Sequence, residues 1–166
     1  MAMLTEAAGV TAPTLYAAFG SKEDLYREVL TAYRGDMSAI PLRDGSLFRT
    51  LEVFLRRQAA RFADPAGPRG CMVSTGVLRA GGDNRSAVDA TAAHRQEDFA
   101  LFVRLIEQAK EKGEITPTTD ADALARFYMA VVQGMSVQAI DGASAERLNA
   151  LVEVALAAWP RPTAGP

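Results

Sequence analysis

Few side chains in this sequence could carry covalent or metal chemistry. Its 166 residues include one histidine, His94, and one cysteine, Cys71. A lone cysteine excludes an internal disulfide and any multi-cysteine metal site. No Gly-x-Ser-x-Gly elbow, phosphate-binding loop or His/Glu metal spacing is present. Asp120 and Asp122 are better accounted for as helix caps than as paired catalytic carboxylates. Beside Cys71 only Arg69 would lower a thiol pKa, so the residue reads as a buried structural thiol, with a redox sensor as the alternative. No enzyme is expected, and neither a cofactor nor a metal.

The elements that could position a binding site are helices. Hydrophobic residues make up 49% of the chain and charged residues 23%, the balance of an ordinary globular protein of one or two small domains. Glycine and proline fall in clusters, and the stretches between them carry helical rather than alternating periodicity. Leu47, Leu51, Phe54, Leu55, Ala59 and Phe62 form one apolar stripe. Phe99, Phe102, Val103, Ile106 and Ala109 form a second, on a long helix expected to begin near Ser86. Leu124, Phe127, Tyr128, Val131, Val132 and Met135 make a third, and Leu148, Leu151, Val152, Ala155, Leu156 and Trp159 a fourth. Ser21 with Asp24 and Thr119 with Asp122 resemble capping boxes in which Asp replaces Glu, and Ser144 is placed to cap the last helix. The segment 160–166, with three prolines and little apolar content, is expected to be a flexible tail.

No apolar run reaches the roughly 18 residues that span a bilayer, and Met1 to Glu6 lack the basic start and apolar core of a signal peptide. A cytoplasmic protein without a membrane partner is expected, in agreement with its cysteine usage. Eighteen Lys and Arg against 20 Asp and Glu give a formal charge of −2. Attraction to a polyanion must therefore be local. Between Met1 and Gly35, three basic residues (Lys22, Arg27, Arg34) face four acidic ones (Glu6, Glu23, Asp24, Glu28), a balance of −1.

The most informative stretch runs from Leu4 to Leu25. Two short helices meet there at Gly9, which can take the positive φ of a tight turn. Val10 can pack between them, Thr11 can cap the second, and Pro13 sits in its first turn, where a missing N–H is harmless. This is helix-turn-helix logic.

In order and without a gap, Ala7-Ala8-Gly9-Val10-Thr11, Thr14-Leu15-Tyr16, Phe19 and Ser21-Lys22-Glu23-Asp24-Leu25 resemble the signature of the TetR family. The stretch Arg69-Gly70-Cys71-Met72 resembles one branch of that family. The resemblance implies an all-α fold, with an N-terminal helix-turn-helix followed by a helical ligand-binding and dimerisation domain. It implies that the helix from Thr11 to Phe19 enters the major groove of double-stranded operator DNA. Thr11, Thr14, Tyr16 and Lys22 would then contact phosphates, while Ala12, Pro13 and Ala17 would face base edges. These last three carry no side-chain hydrogen-bonding groups, so readout would rest on thymine methyls and DNA shape. Leu15 and Phe19 are expected in the core.

Family members carry a further helix and a basic tail ahead of the helix that starts near Leu4, and this chain begins almost at that second helix. The expected organisation is an incomplete TetR-type DNA-binding domain with a connecting helix over 1–40, a ligand-binding and dimerisation domain over 41–159, and the tail. The resemblance also implies a homodimer through the last two helices, where Ala130, Gly134 and Ala157 are small enough for close approach. A small, largely apolar effector would be lined by Phe54, Phe62, Cys71, Met72, Phe99, Phe102, Tyr128 and Met135, with Gln58, His94 and Gln133 as polar contacts. For each of these the alternative is an ordinary core position, and for His94 a surface one. The implied function is a repressor released from its operator when the effector shifts the dimer to a wider spacing of its reading helices. The competing possibility is a dimeric small-molecule-binding or interaction module that has lost DNA binding.

Overall fold

The computed structural model describes residues 2–38, 45–76 and 85–162. Among them lie seven α-helices: α1 (Ala2–Ala8), α2 (Ala12–Phe19), α3 (Lys22–Ser38), α4 (Leu47–Phe62), α5 (Arg85–Glu111), α6 (Ala121–Ile140) and α7 (Ala145–Ala157). A single π-helical turn, Met72–Gly76, stands between α4 and α5. The boundary expected between residues 40 and 41 falls outside the described residues.

Helical period sets the core. The α4 stripe buries Leu47, Leu51, Leu55, Ala59 and Phe62, and it packs on α6 and α7. α6 contributes Tyr128, Val132 and Met135, and α7 contributes Leu148, Val152, Ala155 and Leu156. Each large side chain buried this way stabilises the fold by about 1.5–3 kcal/mol. On α5, Ile106 and Ala109 are fully buried, whereas Phe99, Phe102 and Val103 are half-buried against the same core. The expected stripe is therefore graded along its helix.

The caps follow local chemistry with one correction. Ser21 Oγ accepts from Asp24 N at 3.0 Å and Asp24 Oδ2 accepts from Ser21 N at 3.2 Å, the reciprocal capping box. Ser144 Oγ accepts from Arg147 N at 3.3 Å. At α6, however, Asp120 is the cap, its carboxylate accepting from Ala123 N at 3.1 Å, so a single cap one residue on replaces the box expected from Thr119. The carboxylate next in the chain is a stronger acceptor than a hydroxyl at a helix N-terminus.

The C-terminal helix ends at Ala157, earlier than expected, and Trp159 folds back into the core, 5.8 Å from the Phe48 ring and 6.1 Å from that of Tyr128. The chain stays tied beyond it. Pro160 O accepts from Thr116 N at 3.2 Å, and Arg161 stacks over Phe48 with its carbonyl accepting from the Thr116 hydroxyl. Flexibility expected from Pro160 onward is thus opposed at Pro160 and Arg161, and 163–166 fall outside the described residues.

Candidate nucleic-acid interface and sensing core

The helix-turn-helix is built by short-range interactions. α1 stops at Gly9, whose φ of 64° suits a residue without a Cβ, and Val10 N closes the turn onto Thr5 O at 3.1 Å. Thr11 is extended (φ −85°, ψ 158°), its hydroxyl accepts the Thr14 N–H at 3.4 Å, and the Thr11 and Thr14 hydroxyls are hydrogen-bonded to each other at 2.9 Å. Gly20, at φ 80°, ends α2 with its N–H on Tyr16 O.

α2 presents two faces. At about 3.6 residues per turn, Pro13, Thr14 and Ala17 share one side, and all three are exposed. Ala12 is half-buried on the side of Leu15, so it is separated from Pro13 and Ala17, with which it was grouped from the sequence. Thr11, Tyr16 and Lys22 are exposed. Leu15 and Phe19 are not core residues: neither α1 nor α2 has a buried residue, Leu15 is half-covered and Phe19 remains 38% exposed. The neighbours of these two helices, α2 for α1 and α3 for α2, cover one side of each only.

Cations are sparse here. The Arg27 guanidinium is engaged by Asp24 at 2.8 Å and by the Ser86 hydroxyl, which leaves Lys22, at the positive end of α3, as an exposed charge beside α2 among the described residues. The hydrogen bonds from the Ser21 hydroxyl and N–H, with Arg27 nearby, hold the Asp24 carboxyl below its usual range. The capping box therefore keeps its charge.

The residues expected to line an effector site divide into groups. Phe62, Cys71, Tyr128 and Met135 are buried in one cluster, and Phe54, Phe99 and Phe102 pack against it. Phe102 meets Tyr128 edge-on at 6.0 Å, and the Tyr128 hydroxyl donates to Ala155 O at 3.0 Å. Burial pushes the Tyr128 phenol up to about 12. Gln58 is buried on α4, while Met72 and Gln133 are half-buried. His94 lies half-buried on α5 and pairs with Glu97 one turn on, at 3.3 Å. Phe99 is covered by the Arg126 guanidinium, 4.5 Å from its ring centre.

Cys71 is buried, and Arg69, the cation beside it in sequence, points elsewhere, donating to Ala139 O and Ala143 O at 3.3 Å. Its neighbour in space is Tyr33, whose phenol is pushed up to about 12 by burial and by the Cys71 thiol, against the pull of Arg61, which lies 4.3 Å over the ring. Sequence reasoning missed Tyr26, Tyr33, Arg95 and Ser136, which meet around the π-helical turn. The period Tyr26, Leu30, Tyr33 was a readable signal for the first two.

Comparison with known proteins places this arrangement. A family model described as bacterial regulatory proteins, tetR family, matches residues 1–29, and one described as tetracyclin repressor-like, C-terminal domain, matches residues 48–141. The HTH-type transcriptional repressor ComR of Escherichia coli is 30% identical over 165 residues, covering 96% of this chain and 79% of the relative. The HTH-type transcriptional repressor BdcR of the same organism is 29% identical over 160 residues, covering 93% and 76%. Among solved structures, a cysteine mutant of the TetR family transcriptional regulator CifR, complexed with 26-bp double-strand operator DNA, superposes with a TM-score of 0.89 at 40% identity over 96% of this chain and 85% of that one. A putative TetR transcriptional regulator from Rhodococcus sp. RHA1 gives 0.67 at 32% identity, over 96% and 87%. With the Thr11-capped α2 in place, residues 1–29 and 48–141 matched by family models and the fold shared along nearly the whole chain, this protein belongs to the TetR family of bacterial transcriptional regulators.

Proposed function

We propose that the chain acts as a ligand-responsive repressor in which α2 reads the major groove of operator DNA. The observation that carries this reading is the pairing of the exposed Pro13, Thr14 and Ala17 face with the exposed Lys22 ammonium at the start of α3, in a chain that superposes on a DNA-complexed relative. Thr11, Thr14, Tyr16 and Lys22 fix the helix on phosphates. Pro13 and Ala17 lie against base edges, with Ala12 at the margin of that contact. With few charged contacts, affinity depends on two copies binding together.

Apolar side chains on the last two helices support a homodimer. Phe127, Ala130 and Val137 on α6 and Ala150, Val154 and Ala157 on α7 are exposed along helical faces, and a Cβ placed on Gly134 would meet open space. A second copy laying the same faces against these would remove them from water. For the effector, the half-buried Phe54, Phe99 and Phe102 beside buried Phe62, Tyr128 and Met135 favour a small, largely apolar molecule, with Met72, Cys71, Gln58, Gln133 and His94 as further contacts. Its binding would favour a wider spacing of the two α2 helices and release the operator.

Fluorescence anisotropy against a labelled duplex from the protein's own promoter region, at two salt concentrations, tests the central reading. Saturable binding that weakens with salt and is not matched by an unrelated duplex is the expected result. Equal affinity for both duplexes would remove operator recognition from the proposal.

A further inference from the structure

The π-helical turn is held from both sides. Tyr26 and Tyr33 are two turns apart on the face of α3 that also buries Leu30. They meet the turn at opposite ends. At its start, the Tyr33 hydroxyl faces the Cys71 thiol and the Met72 amide. At its end, the Tyr26 oxygen lies 3.7 Å from where a Cβ on Gly76 would stand. Tyr26 also donates to Thr91 Oγ1 at 3.0 Å, a direction that follows because the single Thr91 hydroxyl proton goes to Ala87 O at 2.7 Å.

The sensing body grips the same turn with two side chains. Ser136, fully buried on α6, accepts the Cys71 N–H at 2.8 Å. The Thr75 hydroxyl gives its proton to Cys71 O at 3.0 Å, so Ser136 donates to Thr75 Oγ1, 3.3 Å away. Arg95 on α5 donates to Val73 O at 2.9 Å. Just before the turn, Gly70 takes a φ of 85°, and a Cβ there would stand 2.9 Å from the Ile140 side chain and 3.1 Å from Ser136 O. A π-helical turn is a rare conformation that surrounding contacts must select, and such turns concentrate at functional sites.

We propose that Ser136 and Arg95 are positioning residues for operator binding: by holding the π-helical turn from α6 and α5 they set, through Tyr26 and Tyr33, the pose of α3 and with it that of α2. The inference rests on the DNA-binding reading above. Its physical basis is that α1 and α2 have no buried residue, so their orientation is inherited from α3, which packs on α5 and on this turn. Removing the Ser136 hydroxyl leaves the Cys71 N–H without its acceptor in a buried place, and the turn must shift to satisfy it. The two tyrosines then lose a fixed partner.

The test compares the wild-type protein with Ser136→Ala, Arg95→Met, Arg95→Lys and the Ser136→Ala/Arg95→Met pair, by operator anisotropy and by amide hydrogen exchange across α3. The expected result is about tenfold weaker operator binding and faster exchange around Tyr26 to Tyr33 in Ser136→Ala and Arg95→Met. Arg95→Lys, which keeps a donor to Val73 O, restores both, and the double variant is no weaker than its weaker parent. Unchanged operator affinity and unchanged α3 exchange in a folded Arg95→Met protein would overturn the proposal, as would strictly additive losses. Should the wild type bind no operator while α3 exchange still responds to Arg95→Met and not to Arg95→Lys, the DNA-binding reading fails and the positioning of α3 stands.

Discussion

The Glu114 carboxylate takes the Ser46 hydroxyl at 2.6 Å, across 68 residues of chain, and closes the N-terminus of α4. Its two oxygens also accept the Leu47 and Phe48 N–H groups at 2.8 and 2.7 Å. A charge at the positive end of a helix, accepting three hydrogen bonds, ties the α5–α6 connection to the first turn of the helix at the centre of the core.

Burial would raise the Glu114 pKa, but the hydrogen bonds from Ser46, Phe48 and Leu47, with Lys112 nearby, outweigh it and hold the carboxyl below its ordinary 4.5. A folded-state value below the unfolded one means that this stabilisation is fully present above about pH 4.5 and is lost as pH falls through the lower folded value. Glu114→Ala is expected to cost about 2 kcal/mol at pH 7 and Glu114→Gln about half of that. Urea titrations at pH 7 and at successively lower pH check it, and the gap between wild type and Glu114→Gln narrows as the pH falls.

Tyr33 and Tyr128 set an alkaline limit. Both phenols are pushed from 10.0 up to about 12, Tyr33 by burial and the Cys71 thiol, Tyr128 by burial. Between those values the folded state holds protons that the unfolded state has released, so stability falls as pH rises from 10 towards 12. Thermal melts of the Tyr33→Phe/Tyr128→Phe protein should decline less over that interval than those of the wild type. An identical decline would show that neither phenol contributes.

Lys22→Ala should weaken DNA binding by a similar factor on operator and on unrelated duplex, and should reduce the slope of log affinity against log salt by about one per protomer. Ala17→Gln, on the outward face of α2, should instead change the ratio between the two duplexes. Anisotropy titrations at several salt concentrations separate these outcomes.

Val154, 74% exposed on α7, tests the second copy. Val154→Arg places a charge on the α7 face of the proposed symmetric contact. Sedimentation velocity should show the wild type as a dimer and the variant shifted towards monomer at micromolar concentration, with an unchanged melting profile at low concentration.

Interactions within four residues were mostly legible from the amino-acid order, the choice of Asp120 over Thr119 as the cap of α6 excepted. Gly9, Thr11 and Pro13 announce the turn and the start of α2, and Ser21 with Asp24 announces α3, because a glycine at positive φ and a side chain that satisfies an orphan N–H act on their own neighbours. The family resemblance and the all-helical layout rest on that local chemistry and on apolar stripes such as Leu47 to Phe62.

Where residues distant in the chain compete for one partner, order was silent. Glu114 joins the local cap Ser46 in closing the start of α4, and the Thr116 N–H and hydroxyl hold Pro160 and Arg161. Phe19 has the composition of a core residue and remains exposed, since burial depends on whether a second surface arrives. The amino-acid sequence by itself determined the helix-turn-helix, the limits of most helices and the family to which they belong. Only the tertiary structure decided that Tyr26, Tyr33, Arg95 and Ser136 meet at one π-helical turn, because a hydrogen bond between residues about 65 apart depends on how α3, α5 and α6 pack and leaves no periodic trace in the chain.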